Sequence, residues 1–479
     1  MKNKIINFFI IAFCLLFLNF PISYSLTNVK YVFLFVAILA LVIYFLNRQK
    51  GNSKLIVTDE KEYFIIIIIL SIVTRIGIVF ALNSRITQIS DFEIALNTAY
   101  TWDISDAYHS IFSHWNLYPL IVGVFCRIFG NYQMVVLMFN ACINILSCIM
   151  IYVLANLIFD DKKYGFVASF IYIIWPANIL YTLILTQEHV AILLLLIAIY
   201  IFLYSEKYIT EKYKYGFIAY ALLGVALGIS IFFKNFSYVL FIAFAMFHIA
   251  IAFTKKKSLK FLINRIPLYI IMIITFLITQ GLIYNMLDNM AGRKVSRNLL
   301  PYTLNIGLRN DGHFDRKTAN RYKDLAAENN FDFDKTNETI MSELTEHIIN
   351  KNSEIHSYSF WENKVKLIFE EDNGRMHFIN LSLGNHQKVI SVIDIISRFN
   401  NIFFVLIAFL MVVGSISVIY NKNLKLILIM LIIHGSSLTL LLIESQNRYK
   451  YPLYPFMCIV STLGLIKLIK IIQKNKFIN

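Results

Sequence analysis

Residues 63–82 read YFIIIIILSIVTRIGIVFAL, a run that is apolar at nearly every position. A helix that crosses the hydrocarbon core of a bilayer needs about 20 such residues. Comparable runs, such as 190–204 and 403–420, recur along nearly the whole chain. The sequence therefore predicts an all-α integral membrane protein with about twelve spans. The predicted spans lie near residues 5–22, 29–46, 63–82, 132–158, 164–182, 187–204, 216–233, 237–253, 265–286, 401–420, 424–442 and 451–471.

The composition excludes an ordinary soluble protein. Of 479 residues, 58% are hydrophobic and 15% are charged, whereas soluble domains contain roughly 45–50% apolar and about 25% charged residues. The net charge of +15 comes largely from Lys and Arg in alternate short loops. This distribution follows the positive-inside rule, so we expect a multi-pass cell-membrane protein with both termini cytoplasmic and have no need of a nucleic-acid partner. The five cysteines lie in apolar runs without a CxxC pattern, which predicts neither disulfides nor a zinc site.

The apolar run near the N-terminus, residues 1–20, resembles a signal peptide, but we expect an uncleaved first span. We divide the chain into two N-terminal spans with a cytoplasmic loop (1–62), a membrane core (63–286), an extracytoplasmic insertion (287–400) and a C-terminal segment of three spans (401–479). The insertion is predicted to be a small α-rich domain, because it has near-equal numbers of acidic and basic residues and amphipathic stretches.

The first external loop, residues 83–131, concentrates acids and histidines between apolar runs. Water–lipid boundaries otherwise favour aromatic and basic residues, so this concentration indicates a site where a polar substrate meets the lipid phase. A carboxylate there can act as a general base, and nearby cations can hold a phosphate leaving group. Its acids and histidines are Asp91, Glu93, Asp103, Asp106, His109 and His114.

Several short motifs resemble the GT-C glycosyltransferases, specifically the bacterial group that is similar to protein mannosyltransferases and aminoarabinose transferases (glycosyltransferase family 39-like). No single motif is specific, but their order and common predicted side of the membrane carry the likeness over residues 63–471. The motifs are Asp91 with Tyr100, Tyr118–Ile121 running to Gly130 and Asn140, Glu188, Lys234, Asn305–Gly307 with Gly312–Phe314, and Arg448–Tyr449 with Pro452 and Pro455.

The resemblance implies a GT-C helix bundle, a polyprenyl-phosphate-linked sugar as donor, an acceptor in the cell envelope (glycan, lipid or protein) and transfer with inversion at the extracytoplasmic face. Asp91 would be the catalytic base, with Asp103 and Asp106 as secondary candidates. Glu188 and His189 would orient the acceptor or bind a divalent metal. Arg448, with Tyr449 beside it, and Lys234 would hold the donor phosphate.

Three other interpretations stay open at this point. Asp91 could serve only to cap the helix that follows it. A polysaccharide polymerase or an O-antigen-ligase-like enzyme, acting on a lipid-diphosphate oligosaccharide, would depend on the basic residues of the insertion. A polytopic transporter or flippase would carry out no chemistry. The basic residues that the second alternative requires are Arg293, Arg297, Arg309, His313 and Arg316.

Overall fold

The computed structural model describes residues 60–209, 213–254, 259–421 and 423–475. Within these ranges the chain forms helices joined by turns and no strand, which confirms the predicted all-α class. The predicted spans at 5–22 and 29–46, with the question of cleavage, lie outside the described residues.

The α-helices are numbered in chain order. They are α1 (Glu60–Leu82), α2 (Asp91–Thr101), α3 (Ala107–Ile111), α4 (Leu117–Phe129), α5 (Gln133–Phe159), α6 (Lys162–Ile174), α7 (Pro176–Tyr181), α8 (Glu188–Tyr208), α9 (Tyr213–Ser230), α10 (Ser237–Thr254), α11 (Leu259–Ile263), α12 (Ile266–Ala291), α13 (Leu300–Gly307), α14 (Arg316–Glu328), α15 (Phe333–Ile349), α16 (Tyr358–Phe369), α17 (Gly374–Ser382), α18 (Gln387–Asn421), α19 (Leu424–Leu442) and α20 (Tyr454–Asn475).

In the described part of the chain, eight helical segments are long and apolar enough to cross a membrane, and they include α1, α5, α8, α10, α12, α18, α19 and α20. By length and composition they fit a multi-pass membrane protein. The predicted span at 216–233 corresponds to α9, whose apolar part is shorter. Two glycines bring α9 close to α12, since a Cβ at Gly224 would lie 2.2 Å from the Met272 carbonyl oxygen and one at Gly228 would lie 3.0 Å from that of Phe276. Small residues four apart allow such close packing of membrane helices.

The predicted span at 164–182 is not one helix, because the chain breaks between α6 and α7. Trp175 is extended (φ −67°, ψ 113°) and precedes Pro176, which lacks a backbone N–H. The break leaves carbonyl groups at the end of α6 without helical partners. Arg75 of α1 donates to two of them, with 2.6 Å from Nη1 to the Ile173 oxygen and 3.2 Å from Nη2 to the Tyr172 oxygen. The buried guanidinium therefore replaces the missing helical hydrogen bonds.

Helix α17 is fixed to the membrane helices by a buried carboxylate that comes just before it. Asp372 Oδ2 accepts hydrogen bonds from Arg375 (2.8 Å), from Asn400 of α18 (2.8 Å) and from the indole of Trp175 (3.1 Å). These bonds fix α17, which carries Phe378.

The first loop and the following polar region share a second apolar core. Ile111 and Phe112, from the end of α3, pack with Tyr322 and Leu325 of α14 and with Ile340 of α15. This packing holds the first loop against residues of the predicted insertion, although the predicted domain boundaries stay a prediction.

Candidate active site

Asp91 is the first residue of α2, and its carboxylate does not cap the helix. The N-cap residue is Ser90, which makes no side-chain capping bond. The Asp91 carboxylate instead accepts a hydrogen bond from the hydroxyl of Tyr108 on α3, at 3.2 Å. The side chain of Asp91 therefore faces the next helix of the loop rather than the free amides of its own.

A small crevice opens beside this carboxylate. Its walls are mostly apolar or aromatic, and Asp91 is half-buried at its edge. A carboxylate in such a setting is partly shielded from water. The crevice is lined by Asp91, Ile94, Ala95, Tyr108, His109, Trp115 and Pro119.

Asp103 and Asp106 have local structural roles and do not line the crevice. Asp103 is exposed and accepts from the Ser105 amide at 2.9 Å, a bond that lowers its pKa. Asp106 caps α3 by accepting from the His109 amide at 2.8 Å, and it also contacts His109 Nδ1 at 2.7 Å. Burial alone would raise the pKa of Asp106, but the His109 donors outweigh burial and lower it. Of the three candidate aspartates, only Asp91 faces the crevice.

A second group of site residues meets where α8 begins. Glu188, 4% exposed, forms an ion pair with Lys234 at 3.2 Å and accepts from the Tyr181 hydroxyl at 2.9 Å. Lys234 in turn lies 4.2 Å above the centre of the Tyr449 ring. The structure thus brings together side chains from three separate chain turns, as a shared binding site would require.

Arg448 lies beside this pair and is 8% exposed. Its guanidinium carbon is 4.6 Å from the Phe378 ring centre, 5.3 Å from that of Tyr449 and 5.7 Å from that of Phe92. No salt bridge joins Arg448 to a carboxylate of the described residues, and its Nε is buried without a hydrogen-bond partner in them. A buried guanidinium with spare donors is suited to bind an anion.

Phe92 links the two parts of the site, because it directly follows Asp91 and also contacts Arg448. Its ring packs edge to face against Phe378 of α17, with 5.4 Å between the centres. The residue next to Asp91 in the chain therefore contacts both Arg448 and α17.

The ring nitrogens of His189 are both engaged. Nδ1 lies 3.0 Å from the Tyr451 hydroxyl, and Nε2 lies 3.2 Å from the Tyr181 carbonyl oxygen. Since the Glu188 carboxylate is also occupied by Lys234 and Tyr181, the donor atoms of this pair do not converge on a common point for a metal. No group of three or more metal-binding side chains occurs in the ranges that the structure describes. The predicted divalent metal stays a prediction.

Three side chains near the site were not predicted from the sequence. Tyr108 contacts Asp91, while Glu444 accepts from the Tyr449 hydroxyl at 3.2 Å. Burial raises the pKa of Tyr302, and the carboxylates of Glu444 and Asp91 add to the rise, which places Tyr302 near both. Glu444 begins the polar turn that contains Arg448, a position that could have indicated it. The tyrosines had no distinctive signal, since aromatics are common at membrane boundaries.

Three of the five basic residues required by the polymerase alternative have partners within the chain. Arg297 pairs with Asp288 at 2.7 Å. Arg309 donates to the Asn305 side chain at 2.8 Å and to the Glu343 carbonyl oxygen at 3.1 Å. Arg293 lies over Phe331. These contacts give the arginines local structural roles.

Two solved structures of the oligosaccharyltransferase from Archaeoglobus fulgidus are similar to this chain over most of its length. The enzyme in complex with an inhibitory peptide and a dolichol-phosphate shows 13% identity and a TM-score of 0.47 over 88% of this chain and 51% of that chain. The apo form shows 12% identity and a TM-score of 0.49 over 89% and 52%. The chain spans about half the length of these structures. A search of curated proteins found no match.

A family model described as dolichyl-phosphate-mannose-protein mannosyltransferase matches residues 114–284. This segment contains Glu188, His189 and Lys234, while Asp91 and Arg448 lie outside it. The resemblance to the GT-C, protein-mannosyltransferase-like glycosyltransferases is thus confirmed by this family match over residues 114–284.

Proposed function

We propose that this chain is a membrane glycosyltransferase that moves a sugar from a polyprenyl-phosphate-linked donor to a hydroxyl group of an extracytoplasmic acceptor. The observation that carries the proposal is the pairing of an accessible carboxylate, Asp91, with a buried guanidinium that lacks a carboxylate partner, Arg448, across the shared contact of Phe92. A transferase of this kind needs a base for the acceptor and a cation for the phosphate.

The donor side is formed by Arg448 and Lys234. Arg448 forms no salt bridge within the described ranges, and its unpaired Nε is a donor for the phosphate. Lys234 is held by its ion pair with Glu188 over the Tyr449 ring, and its ammonium group is a further donor for the phosphate oxygens. Charge-assisted hydrogen bonds to phosphate stabilise the negative charge that develops as the leaving group departs. The family description, which refers to a dolichyl-phosphate-mannose donor, supports this donor class.

On the acceptor side, Asp91 takes the proton of the acceptor hydroxyl. The hydroxyl oxygen forms a new bond to the anomeric carbon while the bond from that carbon to the phosphate oxygen breaks, and polyprenyl phosphate leaves with the electron pair. One displacement with a single base inverts the configuration of the anomeric carbon. The half-buried setting of Asp91 suits this role, because part of the side chain stays exposed.

The reaction takes place at the extracytoplasmic face in this proposal. The Lys- and Arg-rich short loops alternate with turns that carry few basic residues, and Asp91, Glu188 and Lys234 all lie in or beside the latter. A cell-envelope glycan, lipid or protein would be the acceptor.

The test is transfer from radiolabelled polyprenyl-phosphate sugars in membranes that contain the wild type, Asp91→Asn or Glu93→Gln at matched protein levels. Glu93 is an exposed acid on the same helix and serves as the control. We expect label to move with the wild type and Glu93→Gln, and transfer by Asp91→Asn to fall by about 10²–10⁴-fold.

Full activity of Asp91→Asn would overturn the assignment of the base. Failure of the wild type to transfer label from any monosaccharide carrier would overturn the donor class, and would favour the lipid-diphosphate polymerase or the transporter.

A further inference from the structure

We infer that Tyr108 is a positioning residue that orients the Asp91 carboxylate for proton abstraction. The inference rests on the proposed function, because it assigns a role relative to the proposed base. It concerns a residue of the first loop that has no motif of its own in the sequence.

Tyr108 and Asp91 are in direct contact. The Tyr108 hydroxyl donates to Asp91 Oδ1 at 3.2 Å, and this hydrogen bond joins the Asp91 side chain to α3. With Oδ1 held, Oδ2 is the oxygen left for the acceptor hydroxyl. A carboxylate that is held by one hydrogen bond loses rotational freedom about its side chain, so its free oxygen is presented in a fixed direction.

The position of Tyr108 is set by the next residue of α3, His109. His109 Nε2 lies 2.8 Å from the hydroxyl of Thr98 on α2, and His109 Nδ1 lies 2.7 Å from Asp106. Thr98 is seven residues after Asp91, so both lie on the same face of α2. Two adjacent residues of α3 thus contact two residues on one face of α2, which fixes a helix of only five residues.

The Tyr108 ring packs against the second apolar core. Its centre lies 4.9 Å from the Phe112 ring, and Phe112 belongs to the apolar core shared with α14 and α15. Burial raises the pKa of Tyr108, and the charge of Asp91 adds to the rise, so the phenol remains a hydrogen-bond donor at physiological pH. The ring is therefore supported from the side opposite to α2, and its hydroxyl is kept protonated.

A carboxylate can accept the acceptor proton only when its free oxygen points at the acceptor hydroxyl. Removing the Tyr108 hydroxyl leaves Asp91 in place but less well oriented. The fall in rate should then appear in kcat more than in the KM of the donor.

The experiment compares wild type, Tyr108→Phe and Tyr322→Phe in the full chain, with transfer measured between pH 5 and 9. Tyr322 is the matched control, because its hydroxyl donates to Asn337 at 2.9 Å in the same aromatic core without contacting Asp91. We expect Tyr108→Phe to lower kcat by about tenfold and to leave the donor KM unchanged, while Tyr322→Phe follows the wild type in both. Thr98→Val, which removes the hydroxyl that holds His109, should shift kcat in the same direction by a smaller factor.

A wild-type kcat in Tyr108→Phe, or a fall in rate that appears only in the donor KM, would overturn the inference, provided that Asp91→Asn is inactive. If Asp91→Asn is itself active, the proposed base is wrong, and that outcome is separate from the failure of the positioning role. If Tyr108→Phe does not accumulate as folded protein, Thr98→Val decides, and an unchanged kcat in that variant also overturns the inference.

Discussion

The ammonium group of Lys234 and the carboxylate of Glu188 form an ion pair, 3.2 Å apart, that joins the turn after α9 to the first residue of α8. Glu188 is almost fully buried, whereas the Lys234 side chain is 21% exposed. Loss of one partner of a buried pair leaves an uncompensated charge and costs about 3–5 kcal/mol, and the exposure of Lys234 reduces this cost.

Lys234→Met should therefore lower the thermal stability of the purified protein and also its transfer activity. In the double variant Glu188→Gln/Lys234→Met neither member of the pair is left as an unpaired charge, so part of the stability should return while activity should not. Unfolding temperature and transfer rate, measured on the same preparations, check both parts. A double variant as unstable as Lys234→Met would show that the pair is not the cause.

Donor binding should be more sensitive to replacement of Arg448 by lysine than to the same replacement of an exposed arginine. Lysine keeps the charge but cannot reproduce the planar, multiple hydrogen bonds of a guanidinium. We expect Arg448→Lys to raise the donor KM by about tenfold or more, while Arg85→Lys, at an exposed position, leaves it unchanged. Steady-state kinetics with varied donor concentration measure this effect. A normal donor KM in Arg448→Lys would contradict a phosphate-binding role.

Several features of the fold could be predicted from the sequence, and there are physical reasons why the others could not. Apolar length predicts a span, but the run 164–182 also contains Pro176, and the extended residue before it ends α6. The sequence shows Arg75 within a span but not its acceptors, because the carbonyl groups of Tyr172 and Ile173 come from about a hundred residues further along the chain. Hydrophobicity is a local property, whereas these hydrogen bonds depend on how helices pack.

In the candidate site, too, local properties could be predicted from the sequence, whereas contacts that depend on packing could not. Glu188, Lys234 and Arg448 were predictable as candidates because each is a charged residue at the end of an apolar run. The bond from Tyr108 to Asp91 was not, because it depends on the angle between two short helices of the first loop. Propensity and periodicity place residues on elements, but they do not orient neighbouring elements.

His114 should make the folded protein sensitive to acid. Burial, together with the ammonium group of Lys234, lowers the pKa of His114 to about 3. In the unfolded chain a histidine binds a proton below about pH 6.5, so the unfolded state binds more protons and stability falls as the pH drops from about 6.5 toward 3. At pH 5 this loss is about 2 kcal/mol.

The measurement is the unfolding temperature at pH 7.5 and pH 5 for wild type, His114→Gln and His386→Gln, the last being an exposed histidine. The difference between the two pH values should shrink in His114→Gln and persist in His386→Gln. An unchanged acid loss in His114→Gln would assign the sensitivity to other groups.

Arg75 should be needed for the break between α6 and α7 rather than for catalysis. Arg75→Leu would leave the Ile173 carbonyl group without its donor, at about 1–3 kcal/mol for the buried unpaired group, while the Tyr172 carbonyl keeps the hydrogen bond from the Asn178 side chain at 3.0 Å. We expect little folded protein by size-exclusion chromatography. If Arg75→Leu accumulates normally but transfers no sugar, the role of Arg75 is in the reaction and the structural explanation fails.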